Sequence, residues 1–125
     1  MFALPFALSS YILVSEKIGF QIIDLALILI SLISARIFGM SINRIFDVNI
    51  DKKNPRTLNR GLVSGAISFK GAFAIALMSL LIFYLVIMNF NINALYLSPI
   101  VIILFLIYPL TKRFTFLCHY FLGLV

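Results

Sequence analysis

GAFAIALMSLLIFYLVIMNFNINALYLSPIVIILFLIYPLT, residues 71–111, contains no charged side chain. The run is about twice the ~20 apolar residues that one transmembrane helix needs, so it must fold back on itself. Asn89-Phe90-Asn91-Ile92-Asn93 supplies the turn, because asparagine side chains bond their own backbone and tolerate turn geometry. This spacing predicts one helix at about 69–88 and another at about 94–110.

A second pair of helices is predicted upstream. An apolar run from Met1 to Val14 leads into a short Ser15-Glu16-Lys17 turn, then a helix from about 19 to 51 whose last part emerges from the lipid. Met1 to Val14 is short for a span and has neither a basic leading region nor a small-residue cleavage site, so it reads as a clipped helix rather than a signal peptide. Phe114 to Val125 similarly opens a hydrophobic segment that stops about halfway across. The expected fold is therefore all-α and membrane-integral: a bundle of four to five transmembrane helices, incomplete at both ends. No repeat, Gly/Ser linker or low-complexity tract divides residues 1–125, which form one domain or part of one.

Composition agrees. With 63% hydrophobic and 11% charged residues and a mean hydropathy of +1.16, the chain lies far from soluble domains, in which roughly a quarter of residues are charged. Its net charge of +6 falls in short clusters between apolar runs rather than along a polar face, which argues for anionic headgroups or a phosphorylated substrate and against nucleic acid. The single Cys118 excludes an internal disulfide and offers no metal-ligand spacing. Lys52, Lys53, Arg56, Arg60 and Lys70, and later Lys112 and Arg113, occupy loops separated by an even number of spans, so they share one side, cytoplasmic by the positive-inside rule.

That side also holds two of the four acidic residues. In Asn43-Arg44-Ile45-Phe46-Asp47-Val48-Asn49-Ile50-Asp51, a continuing helix sets Asn43, Asp47 and Asp51 at successive i, i+4 positions, three oxygen-bearing side chains on one stripe. Such a stripe suits Mg²⁺, which takes oxygen ligands and is usually held by one or two carboxylates plus substrate phosphates. The cations of Lys52-Lys53-Asn54-Pro55-Arg56-Thr57-Leu58-Asn59-Arg60 would grip the phosphate.

The string N-R-I-F-D-V-N-I-D-K-K-N-P-R-T-L-N-R-G-L-V-S-G-A-I-S, residues 43–68, resembles the first aspartate-rich motif and following loop of the UbiA-type intramembrane aromatic prenyltransferases. Leu4-Pro5-Phe6-Ala7, Ala35-Arg36, Met40 and the Tyr108…Lys112-Arg113-Phe114-Thr115 stretch are similar too. Within the family the chain is most similar to the 4-hydroxybenzoate polyprenyltransferases and to relatives in the futalosine route to menaquinone. It departs at Arg60-Gly61-Leu62-Val63-Ser64-Gly65, where an R-P-L-P-S-G-like run is usual; the loss of two prolines bears on loop rigidity more than on chemistry. The resemblance implies a nine-helix fold with a second aspartate-rich motif between helices six and seven, of which residues 1–125 are roughly the first half.

It also implies a reaction: Mg²⁺-dependent transfer of a polyprenyl group from polyprenyl diphosphate to an aromatic acceptor such as 4-hydroxybenzoate, in ubiquinone or menaquinone biosynthesis at a bacterial inner membrane. Asn43, Asp47 and Asp51 would hold the metal. Arg44, Arg56, Arg60 and Lys112 are candidates for the diphosphate oxygens, arginine as a bidentate fork and lysine as a point charge, with Tyr108 one turn before Lys112. Arg36, two turns before Asn43, either binds a substrate carboxylate or pairs with Asp47 or Asp51.

Blander readings weigh against each residue. An isolated Asp-x-x-x-Asp is more often a solvated interfacial face than a metal site; Lys52, Lys53 and Lys70 suit anionic lipid at roughly 1 kcal/mol each; Cys118 and His119 suit packing. Two other classes remain as alternatives to an enzyme. A non-catalytic membrane remnant is one, and a cation transporter the other, although a path for bare cations would not be ringed by arginines.

Overall fold

The computed structural model describes residues 3–114. Four helices follow one another, α1 (Ala3–Ile18), α2 (Ile22–Asp51), α3 (Phe69–Ile87) and α4 (Ile92–Phe114), with no strand among the described residues. Ile22–Asp51, Phe69–Ile87 and Ile92–Leu110 are each long and apolar enough to cross a membrane. α1 has 16 residues, about 24 Å at 1.5 Å per residue, short of a ~30 Å hydrocarbon core. The fifth segment, with Cys118 and His119, lies outside the described residues.

The first predicted turn is misplaced. Ser15, Glu16 and Lys17 are helical, the Ser15 hydroxyl donating back to the Ile12 carbonyl at 2.8 Å. The chain leaves the helix at Gly19, whose φ of 92° is open to glycine at no steric cost. Charge at a membrane surface does not end a helix; a glycine past its last turn does. Tyr11 then staples the turn, its hydroxyl donating to Gln21 O at 2.5 Å and accepting from Gln21 N at 3.0 Å. α4 also outruns its prediction, since Lys112 and Arg113 still belong to its last turn.

α4 carries two internal prolines, Pro99 and Pro109. Proline has no N–H for the carbonyl four residues back, and in lipid an orphaned carbonyl has no water to turn to. For Pro99 that carbonyl is Leu95 O, and the buried Ser98 hydroxyl donates to it at 2.8 Å. Ser98→Ala is expected to cost about 1–3 kcal/mol, read as a lower unfolding midpoint in a detergent titration. In a Pro99→Ala background, where the backbone N–H returns, the same change should cost little; equal losses in both backgrounds would reject the compensation.

α2 is the centre of the packing. Phe38, Ile42 and Ala76 form a buried cluster against which Leu80, Ile102 and Phe105 pack. Gly39 permits the close approach of α4: a Cβ there would meet Phe105 Cδ1 at 2.9 Å. The Phe38 and Phe105 rings meet edge to face, centroids 6.4 Å apart. Small buried residues on α3, namely Ala72, Ala76 and Ser79, let backbones approach, as helix packing in lipid requires. Yet only 17%, 17% and 11% of the apolar windows of the three spans are buried within the chain. The remaining apolar surface must face lipid or further protein.

Candidate functional site

α2 has 30 residues, about 45 Å of helix, so some 15 Å extends past a ~30 Å hydrocarbon core. Its final turns carry the predicted stripe. Asp47 is 5% and Asp51 7% exposed, unusually low for carboxylates, which are rarely buried without partners. Asn43 is half-buried. Asn43, Asp47 and Tyr108 are all engaged by neighbouring groups.

The partner of Asp51 comes from the loop. Arg60 Nη1 donates to Asp51 Oδ2 at 2.7 Å, the Arg60 side chain 43% exposed and the Asp51 side chain 10%. This is the ion pair found among the described residues, and it occupies one carboxylate oxygen and one of five guanidinium donors. Asp51 Oδ1 and four guanidinium donors lie outside this bond.

The loop takes this course for local reasons. Asn54, in extended backbone before Pro55, caps a 3-10 turn at Pro55–Thr57, its side chain accepting from Arg56 N at 3.1 Å. Thr57 N donates to Asn54 O at 2.9 Å and Arg60 N to Thr57 O at 3.0 Å. Where prolines are usual, Val63 N and Ser64 N both donate to Arg60 O at 2.8 Å, and a proline at 63 would lack the first of these donors. Gly65 turns the chain at φ 81°, and Ile67 N closes onto Gly61 O at 2.8 Å. Hydrogen bonds thus supply the order that the missing prolines would otherwise provide.

The other predicted residues are dispersed. Arg44 lies seven residues before Asp51, within roughly 20° of it around the helix, and lines a cavity of about 200 Å³ with Ser41, Leu62, Ile67 and Ile75. Neither aspartate lines that cavity. Arg56 is exposed on the 3-10 turn. Arg36 is exposed and makes no ion pair among the described residues, so the pairing with Asp47 or Asp51 that the sequence allowed is not formed: 11 and 15 residues of helix set it about 16 Å or more from them along the axis. Tyr108 is half-buried beside the fully buried Pro109. Phe105 lies against Gly39 and the connections make α2 and α4 parallel, so equal advances along both set Tyr108 level with Ile42 and Lys112 level with Phe46. The side chain of Lys112 lies outside the described residues.

Thr57 and Asn54 were not singled out for a role from sequence, although an Asn-Pro followed by threonine is a turn-initiating signature. Chemically, two buried carboxylates one turn apart, with a nearby amide and, among the described residues, no thiol or imidazole, form a hard, oxygen-only donor set that fits Mg²⁺ better than a soft metal. Among the described residues no three His, Cys, Asp or Glu side chains converge, so these ligands would share the ion with substrate oxygens.

Fold and site together define a helical integral membrane protein with an acidic helix end clasped by a basic loop. The model of the UbiA prenyltransferase family matches residues 3–125, and the chain belongs to that family. It is similar to 4-hydroxybenzoate octaprenyltransferases of Shewanella piezotolerans, 38% identical over 101 residues, and Shewanella woodyi, 40% over 102; each match takes in 81% of this chain and 35% of the relative. The chain thus spans about a third of these relatives. The apo structure of a UbiA homolog from Aeropyrum pernix K1 superposes with a TM-score of 0.87 at 38% identity, covering 98% of this chain and 44% of that one.

Proposed function

We propose that residues 1–125 are the N-terminal part of a prenyltransferase that moves a polyprenyl group from polyprenyl diphosphate to an aromatic acceptor, 4-hydroxybenzoate or a close analogue, in ubiquinone or menaquinone biosynthesis. The observation that carries this reading is the Asp47–Asp51 pair buried under a loop whose Arg60 already grips one carboxylate. Asn43, Asp47 and Asp51 would hold Mg²⁺, which supplies the Lewis acidity that an anionic leaving group needs. Arg60 would turn its remaining donors to the diphosphate, with Arg56 and Lys112 adding charge, Tyr108 a hydrogen bond and Arg44 a further cation from the neighbouring cavity wall. As the allylic C–O bond breaks, these fixed cations stabilise charge developing on the leaving oxygen. The electron-rich ring attacks the allylic carbon and then loses a proton to restore aromaticity. Arg36 is left for the acceptor's carboxylate.

The same arrangement speaks against cation transport, because a path for bare cations would not be lined by the fixed positive charges of Arg56 and Arg60. The site would face the cytoplasm at a bacterial inner membrane. In membranes expressing the full-length gene product, polyprenyl diphosphate and 4-hydroxybenzoate should give prenylated acceptor. EDTA should reduce product to background and Mg²⁺ restore it. Turnover indifferent to both would reject the metal, and absence of product with every phenolic or naphthoic acceptor tried would reject the reaction.

A further inference from the structure

We infer that Thr57 is a positioning residue that holds Asp51 and Arg60 in register. The Thr57 hydroxyl donates to Asp51 O at 2.7 Å, with Asn54 O a longer alternative at 3.1 Å. Its backbone carbonyl accepts from Arg60 N at 3.0 Å, while the Arg60 guanidinium donates to Asp51 Oδ2 at 2.7 Å. These contacts close a ring: Asp51 carboxylate, Arg60 side chain, Arg60 backbone, Thr57 backbone, Thr57 side chain, Asp51 backbone. Its only covalent shortcut is the nine-residue loop itself.

Each link has a physical reason. Asp51 is the last residue of α2, so its carbonyl has no intrahelical donor and needs one from outside. Asn54 N reaches it at 3.3 Å and the Thr57 hydroxyl at 2.7 Å, and the shorter bond from Thr57 fixes where the loop departs. The departure point decides where Arg60 arrives, because Arg60 N is bonded to Thr57 O. With Oδ2 engaged by Arg60, Oδ1 is the Asp51 carboxylate oxygen outside the ion pair. Without the threonine hydroxyl, the short bond to Asp51 O is lost, and the longer Asn54 N contact at 3.3 Å and the arginine arm must hold a flexible side chain in place, at an entropy cost. Thr57 therefore acts on the site without touching the ligand. The inference rests on the reading of Asp51 and Arg60 as Mg²⁺ and diphosphate contacts, and it extends that reading to a residue outside the predicted ligand set.

The test uses the chain in lipid nanodiscs with two variants: Thr57→Val, isosteric but without the donor, and Thr57→Ser, which keeps it. Amide hydrogen exchange over residues 53–64, measured without metal, should quicken about 5- to 10-fold in Thr57→Val and stay within about twofold of the parent in Thr57→Ser. Mg²⁺-dependent binding of geranyl S-thiolodiphosphate should need about 5- to 30-fold more Mg²⁺ in Thr57→Val, again with rescue by serine. An Arg60→Gln background should largely erase the threonine effect on Mg²⁺. Unchanged exchange in Thr57→Val overturns the inference. Quickened exchange with unchanged Mg²⁺ demand also overturns it, since Thr57 would then order the loop and nothing more. A parent that binds the analogue equally well without Mg²⁺ defeats the metal reading instead, and the exchange comparison still decides whether Thr57 holds the loop. Should Thr57→Val insert poorly, Thr57→Ala, with the same loss of donor and less bulk, takes its place.

Discussion

Asp47→Asn, made in the full-length gene product, is expected to leave membrane insertion intact and to lower prenyl transfer by about three orders of magnitude or more. The amide keeps the shape of the side chain, so packing at a position 5% exposed is nearly undisturbed. What disappears is a formal negative charge in a hard-oxygen donor set, and with it much of the affinity for a divalent cation. A Lewis acid contributes several kcal/mol of transition-state stabilisation, and each 1.4 kcal/mol is a factor of ten. Asp51→Asn should be as severe, for a second reason: the Arg60 guanidinium, 2.7 Å from Oδ2, loses its anionic partner and keeps only a hydrogen bond to a neutral amide oxygen. Product formation at saturating Mg²⁺ checks both, with expression and detergent-stable monodispersity as controls. Near-normal turnover in either variant removes the metal role from that residue.

Residues 1–125 alone, reconstituted in lipid nanodiscs with polyprenyl diphosphate, Mg²⁺ and 4-hydroxybenzoate, are expected to yield no prenylated product above a protein-free control. Two observations motivate this. The described residues bring together two buried carboxylates and no third His, Cys, Asp or Glu, so leaving-group charge would be only partly neutralised. The spans also bury a small share of their apolar windows against one another, which leaves the walls of a dry reaction chamber unbuilt. Mg²⁺-dependent binding of a diphosphate is expected to survive these deficits better than catalysis, because the proposed contacts all lie within residues 1–125. Sustained turnover would show that the acidic helix end and its loop suffice.

Much of the fold was legible before any coordinates. An uncharged run twice the length of a span, broken by three asparagines, has one economical solution in a bilayer, and α3 and α4 follow it closely. The end of α2 at Asp51 was legible too, because the stripe of Asn43, Asp47 and Asp51 requires helix that far. Failures came where competing local signals had to be ranked. Glu16 and Lys17 look like a turn, but Gly19 makes it. Lys112 and Arg113 look like a loop, but α4 runs on through them. The pairings within the candidate site were not legible. Arg60 reaches Asp51 through a loop whose path depends on Asn54, Thr57 and Gly65, and no helical periodicity reports that path. Arg44 shares the angular position of Asp51, yet the cavity it lines is assembled from loop and α3 residues 18 to 31 positions away.

α2 outreaches the hydrocarbon by about three turns, which places the carboxylates at headgroup depth only while the bilayer keeps its ordinary thickness. Longer or more saturated acyl chains would raise the lipid boundary along the helix and draw Asp47 toward hydrocarbon, a mismatch that the helix relieves by standing more upright and by thinning the bilayer around it. Tilt changes the angle at which the loop and its arginine meet the water. Membrane thickness is thus built into the geometry of the site, and acyl-chain length becomes a control variable in the same sense as metal concentration.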